Sequence, residues 1–418
     1  MDFVAEVKSP LDRGESMTSS SEKDFVQFLD LGLQPISNAF PAEPFSPPSY
    51  RLSVGFEQQS GLVRLVEQPQ ASTMFHSEYA FETRTSKKMI QHFDQAAETL
   101  LAQCSVSGRH PRVLEVGSND GAFLESCKNQ GAVVLGVDPS TGVNAIARRH
   151  GVEVWEAFFS ISEAKLIRER HGEFDLAYAA NALCHIPDFE GNLRAFNEIL
   201  TDQGLLVFED PYLGSVLSKT TYDQFYDEHY YMFAASSVKR VANKVGLTLF
   251  DVEQIPTHGG SMRYFLARSP RPETKRLLKA LRWEAAIGLE DLGALSAFAA
   301  NVQTSAHFLQ EQLSILRRTG LPVIGLGAAS KTVTVLNYAG ITSDLIRCFT
   351  DSTASKEGRY MAGTDIQVTS QSTFSPSGDF VAFLGAHNHE TEILGSLKVK
   401  GIVPEFILSS IPFSTVRI

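Results

Sequence analysis

The chain has 418 residues, 43% of them hydrophobic, with a formal net charge of −11, enough apolar content for two or three domains with their own cores. Its Lys and Arg residues are dispersed, which excludes the basic stripe that neutralises a nucleic-acid backbone. No apolar run reaches the length of a membrane span, and the N-terminus lacks the basic start and apolar core of a signal peptide, so a cytoplasmic protein with neither nucleic-acid nor membrane partners is expected.

In chain order, residues 1–23 carry few large apolar groups among Ser and charged residues and read as a flexible tail. Residues 24–75 read as a small β-rich module: alternation in Tyr50–Val54 and Leu62–Val66 predicts a hairpin. Over 76–272 the pattern becomes strand, helix, strand, with buried-strand runs at Arg112–Val116, Val133–Val137, Phe174–Ala179 and Gly204–Glu209, which predicts a parallel sheet covered on both faces. A helical connector follows at 273–320, predicted as one long stretch over about 274–318. Its apolar face runs through Leu295, Phe298, Val302, Leu309, Leu313 and Leu316, and Arg317, Arg318 and Gly320 supply its end. Residues 321–418 open on a strand and a Gly-rich turn, PVIGLGAASK, and return to strands near Ile346–Phe349 and Phe380–Leu384, a second and smaller α/β unit. The cysteines Cys104, Cys127, Cys184 and Cys348 lie far apart with no C-x-x-C pair, a pattern of free thiols rather than disulfides or a clustered metal site.

The segment VLEVGSNDG (113–121) ends a strand and opens a helix, with Glu115, Gly117, Asn119 and Gly121 in an E-x-G-x-N-x-G arrangement. Glycines let the backbone pass close to a ligand. Such a turn serves dinucleotides as well as other nucleotide cofactors. Asp138, at the end of the next strand, suits a ribose diol but leaves that choice open, and both Asp138 and Asn181 also read as ordinary strand-end turn residues. The tandem FDLAYAANALCHIPD (174–188) and LTDQGLLVFEDP (200–211), with Asn181 at a strand end, resembles the fourth and fifth strands of class I methyltransferases and favours S-adenosylmethionine (SAM) over NAD.

Six strings then carry a narrower resemblance over nearly the whole chain: LDLGLQPISNAF (29–40), MFHSEYAFETRTSKKM (74–89), ANALCHIPD (180–188), FEDPYLGSVLSKTTYDQFYDEHYYMF (208–233), PTHGGSMRYFLAR (256–268) and GLGAASKTVTVLNYAGI (325–341). Together they resemble the sugar C-methyltransferases, SAM-dependent enzymes that methylate C3 of TDP-4-keto-deoxysugars and usually serve unusual-sugar biosynthesis in natural products. The resemblance implies three parts: a small zinc-binding N-terminal module, a central class I (Rossmann-like) SAM domain and a smaller C-terminal α/β domain, with the nucleotide sugar held between them. Where relatives have a G-x-C-x-x-C-G turn this chain has Glu57 and Ser60, and the upstream pair falls near Thr18 and Ser21. Hydroxyls are poor zinc ligands, so no zinc is expected.

Methylating carbon needs a carbanion equivalent, which an adjacent ketone supplies as an enolate once a base removes the proton. The resemblance makes His229 that base, with Tyr226 and Glu228 positioning substrate or sharing the proton. From the residues alone, His229 among Tyr226, Tyr230 and Tyr231 reads equally as a satisfied member of an aromatic cluster. His185 reads as a substrate-orienting group or a solvated helix-start residue. Tyr79 falls in a family active-site segment in which Phe81 replaces a common aromatic hydroxyl. His258 and Arg263, in a Gly turn entering a strand, suit a phosphate, or are a plain glycine turn with a surface Arg; Lys331 and Asn337 are further candidates for the diphosphate or base. The pair His387 and His389 lacks a third metal ligand. Phe158 stands at the expected adenine side, where relatives often place an acid at the position of Ala157 and this chain has Glu156 beside it. Other readings are an O- or N-methyltransferase of a sugar or keto metabolite, a non-catalytic SAM-fold binding protein, and an NAD enzyme using the C-terminal turn.

Overall fold

The computed structural model of the chain describes residues 24–47, 50–70, 83–104, 108–376, 378–411 and 413–417. The tail read over 1–23, and with it Thr18 and Ser21, lies outside the described residues, as do Tyr79 and Phe81.

Phe25–Gln34 (β1), Tyr50–Glu57 (β2) and Leu62–Leu65 (β3) pair antiparallel in that order. The turn between β2 and β3 closes on its own side chains: the Ser60 hydroxyl donates to the Glu57 carboxylate and accepts the Leu62 N–H at 3.1 Å. Helix Lys87–Gln103, capped by Ser86, leads into the central sheet. Arg112–Val116 (β4), Val133–Val137 (β5), Val154–Trp155 (β6), Phe174–Ala180 (β7) and Leu200–Pro211 (β8) are followed by the two-residue strand Tyr231–Met232 (β9), then by Thr248–Ile255 (β10) and Ser261–Ala267 (β11). The central sheet has the order β10-β11-β8-β7-β4-β5-β6, all parallel except β11, which runs antiparallel between β8 and β10. β9 instead joins the N-terminal sheet beside β3. The order reverses between β4 and β7, so a crevice opens at their carboxyl ends, the usual ligand position in such sheets.

The connector is two helices, not one. Lys275–Ala286 stops before Gly288, which is left-handed at φ 66°, and Leu292–Thr319 restarts behind Asp291, whose carboxylate accepts the Ala294 N–H at 2.9 Å. A glycine at positive φ and a capping Asp in succession end one helix and begin another. The second helix buries Leu295, Phe298, Val302, Ala306, Leu309 and Leu313, at helical spacing, the large side chains among them each stabilising by about 1.5–3 kcal/mol on area grounds.

Val323–Leu326 (β12), Cys348–Asp351 (β13), Val368–Ser370 (β14), Val381–Leu384 (β15), Phe406–Ser410 (β16) and Phe413–Arg417 (β17) form a third sheet in the order β14-β13-β12-β15-β16-β17, parallel except for the last strand. A second crevice lies at its reversal between β12 and β15. One apolar cluster joins Leu29, Leu52, Val54 and Leu65 of the N-terminal sheet to Leu295 and Val302 of the long helix, to Val323, Phe349 and Phe383 of the third sheet and to Leu336 of the helix Ser330–Tyr338 that follows β12. The N-terminal sheet therefore borrows its core from the C-terminal unit. No helix among the described residues is long and apolar enough to cross a membrane.

Candidate functional site

The turn after β4 is shaped for close approach. Gly117 has φ 73° and a Cβ there would stand 2.7 Å from the Ala182 Cβ, while Asn119, at φ 47°, turns its N–H onto the Asp138 carboxylate at 3.0 Å. Gly121 begins the helix Ala122–Asn129. Asp138, just past β5, accepts the Ser140 N–H on its other oxygen at 2.8 Å, and its remaining lone pairs are those a diol would use. Asn181, at φ 50°, follows β7 and fixes itself by donating its backbone N–H to the Glu209 carbonyl at 2.7 Å. Glu115, Asp120, Asp138 and Glu209 are all buried. Burial, then the charges of Asp120, Asp138 and Glu209, push Glu115 well above the carboxylate range. One Glu115 oxygen has no hydrogen-bond partner among the described residues. A cation fits such a surround, and SAM carries a sulfonium and an ammonium. Burial also raises Asp138, against the two backbone N–H bonds.

Phe158 is 55% exposed beyond β6. Glu156 is turned onto Arg148 at 3.1 Å and Asn144 at 3.4 Å, so its carboxylate is held by the helix Thr141–Arg149.

The two histidine turns meet. Nδ1 of His229 lies 2.8 Å from the Gln224 carbonyl and Nε2 lies 2.9 Å from the Tyr226 hydroxyl; the His185 ring stands 5.2 Å away, centroid to centroid, with Nδ1 2.5 Å from the Glu228 carbonyl. A carbonyl only accepts, so each ring donates from Nδ1 and its neutral form carries the lone pair on Nε2. Burial lowers the His185 pKa and favours that neutral form. Glu228 is buried beside them. Three donors, the Cys184 thiol and the His185 and His229 rings, lie within 4.8 Å of one another. The thiol is fully buried, and burial raises its pKa well above the ordinary range, which makes it a packed group.

Of the phosphate candidates, the structure overturns two. The Arg263 guanidinium is buried and committed to Glu209 at 2.6 Å and Glu253 at 2.9 Å, on a strand inside the sheet rather than at a surface turn. Asn337 spends its amide donors on the carbonyls of Val333 and Ala362, at 2.8 and 2.9 Å, holding the loop before β14. His258 lies in the Thr257–Gly259 turn, and its side chain is outside the described residues. Lys331 sits in the first turn of Ser330–Tyr338 at the second crevice, where burial lowers its pKa against the opposing charge of Asp223. His387 joins it, with Nε2 3.7 Å from Asp223. The C-terminal Gly turn repeats the plan of the first, but Asp351, the acid after its second strand, takes the Ala328 and Thr353 N–H groups at 2.8 Å and pairs with Lys356. Little of that carboxylate remains for a dinucleotide ribose.

Residues that the sequence did not single out complete the site. Ser37 donates its backbone N–H to Asp227 at 3.1 Å, and Gln68 donates to the carbonyls of both Asp227 and His185, at 3.1 and 3.4 Å. Glu209 bridges His92 and Arg263, each at 2.6 Å. Asp227 stood inside a quoted string; Gln68 and the Gln224 carbonyl have no signature in sequence.

Both α/β units resemble known methyltransferases in sequence. Residues 87–252 match the family described as a methyltransferase domain, and residues 256–407 match the C-methyltransferase C-terminal domain. The C-methyltransferase NovU of Streptomyces niveus is 28% identical over 322 residues, 77% of this chain and 76% of that protein. A ubiquinone biosynthesis O-methyltransferase of Bordetella avium (strain 197N) is 32% identical over 106 residues, 25% of this chain and 43% of that one. Among solved structures, magnesium protoporphyrin IX methyltransferase (ChlM) from Synechocystis PCC 6803 with bound SAM is 15% identical, covering 44% of this chain and 82% of that chain at a TM-score of 0.33. The strand order, the first crevice and the matched domains define a class I SAM-dependent methyltransferase. Within that class, the paired methyltransferase and C-terminal domains and the likeness to NovU support a C-methyltransferase, similar to the family its sequence strings resemble.

Proposed function

We propose that this C-methyltransferase methylates C3 of a nucleotide-linked, TDP-type 4-keto-deoxysugar, with His229 as the general base. The observation that carries the reading is the His229 ring held by the Gln224 carbonyl at Nδ1, which leaves Nε2 as the basic nitrogen beside the Tyr226 hydroxyl. Nε2 takes the proton from C3, the C–H pair delocalises onto the C4 oxygen, and the Tyr226 hydroxyl, 2.9 Å from Nε2, is a donor for that oxyanion. SAM, when bound at the first crevice, supplies an electrophilic methyl group on a sulfonium. The turns at Gly117 and Asn181 would hold it, and His185, which burial keeps neutral, would orient the sugar. Lys331 and His387 are the cations suited to the diphosphate: burial holds both toward neutrality, and an arriving anion favours their charged forms.

Mass spectrometry of the protein with SAM and TDP- or GDP-4-keto-6-deoxysugars tests this. Gain of one methyl on carbon is expected, together with loss of the C3 proton to solvent, and both vanish in His229→Ala. A methyl on oxygen or nitrogen, or turnover indifferent to His229, would sink the carbanion mechanism.

A further inference from the structure

The N-terminal sheet occupies the place of a zinc module, yet its hydrogen bonds run to the histidine turns. β3 pairs with β9, which begins two residues after His229; the Leu65 N–H donates to the Tyr230 carbonyl at 2.9 Å, and the Arg64 guanidinium reaches the Tyr230 hydroxyl at 3.2 Å. Asp227, fully buried, receives the Ser37 N–H at 3.1 Å and the Tyr50 hydroxyl. The Gln68 amide, with two hydrogens to give, reaches the carbonyls of Asp227 and His185, one on each histidine turn. Every one of these donors comes from residues 37–68, and every acceptor from the two turns.

We infer that the N-terminal sheet is a positioning element of the active site, with Gln68 and Asp227 as the residues that hold the His185 and His229 turns in register. The inference rests on the reading of His229 as base. Its physical basis is that a base must be fixed against both the proton it takes and the carbonyl that sets its tautomer. Gln68 spans the gap between two turns that are 43 residues apart at their own cross-contact, from His185 to Glu228. Asp227 anchors the second turn to the turn that follows β1, 190 residues away in sequence. Without these ties, the Gln224 carbonyl and the His229 ring are free to drift by a fraction of an ångström, and a misplacement of about 1 Å at a reacting group costs about a hundredfold in rate.

The test uses the full chain in four variants: Gln68→Ala, Asp227→Asn, Tyr50→Phe, and Arg51→Ala as a control on the same sheet, since Arg51 pairs only with Asp30 at the surface. Two readouts are taken: methyl transfer to a TDP-4-keto-6-deoxysugar, and NMR of carbon-13-labelled histidine, with the His229 resonance identified by its loss in His229→Ala. In the wild type and Arg51→Ala the neutral ring is expected as the Nδ1–H tautomer. In Gln68→Ala and Asp227→Asn the second tautomer appears, and kcat falls about tenfold or more while KM for SAM holds within about twofold. Tyr50→Phe, which keeps the ring volume, gives a smaller shift of the same kind, and it and Gln68→Ala decide the matter if Asp227→Asn does not fold. An unchanged His229 tautomer with wild-type kcat in the folded variants would overturn the inference. The tautomer readout needs no turnover, so a His229→Ala protein that still methylates would remove the base assignment alone.

Discussion

Asp210, at the end of β8, has both carboxylate oxygens buried, and burial pushes its pKa up to about 8, against hydrogen bonding with the neighbouring Cys184. An unfolded Asp ionises near 3.9, so between about pH 4 and about pH 8 the folded state binds the extra proton and stability from this group is lost as pH rises through that window. Asp210→Asn copies the protonated acid. Its melting temperature should lie closest to the wild type below about pH 4 and exceed it by a margin that widens up to about pH 8; a margin that does not change with pH would place the Asp210 pKa near its ordinary value. The candidate site residues differ in how far the sequence alone carries each of them. His229, Tyr226 and His185 are candidates only because whole strings resemble a family, since a His among tyrosines has no unique reading. Arg263 misled because a turn written G-G-S-M-R looks exposed, whereas strand pairing of β11 between β8 and β10 swings its guanidinium onto two carboxylates inside the protein.

At the scale of elements, β4 and β5 fall where the apolar runs predicted them, because strands covered on both faces are written as continuous hydrophobic stretches. The pairing of β3 with β9 could not be read: β9 is two residues long, and its partner lies over 160 residues earlier. The break between the two connector helices was in view as Gly288 and Asp291, but the apolar period runs up to it on both sides. The β2–β3 turn is closed by its own side chains, Ser60 on Glu57, with the Arg64 guanidinium 4.0 Å over the Phe25 ring. Dialysis against a strong chelator should therefore leave both the melting temperature and methyl transfer unchanged. A fall in either, restored by zinc, would show a metal held elsewhere in the chain.

Across the whole molecule the N-terminal segment ties the C-terminal unit as well: the Phe45 N–H donates to the Thr364 carbonyl at 2.9 Å, the Tyr360 N–H to the Pro41 carbonyl at 3.0 Å, and the Gly363 N–H to the Ser46 hydroxyl at 2.9 Å. Deleting residues 321–418 would strip the long helix and β1–β3 of their shared apolar partner. The shortened chain is expected to be insoluble or to bind ANS strongly; a soluble, cooperatively melting fragment would show that the N-terminal sheet has a sufficient core of its own.

The bond from Gly363 to Ser46 closes a loop of 317 residues. A ribosome delivers the first strands long before the partners that cover them, so β1–β3 emerge with their apolar face bare and wait through most of synthesis for β12 and its neighbours. The segment that holds the histidines is thus among the first made and among the last locked. Methyl-transfer competence should arrive only when residues 321–418 are released, which leaves the nascent chain dependent on whatever shields exposed strands in the cell that makes it.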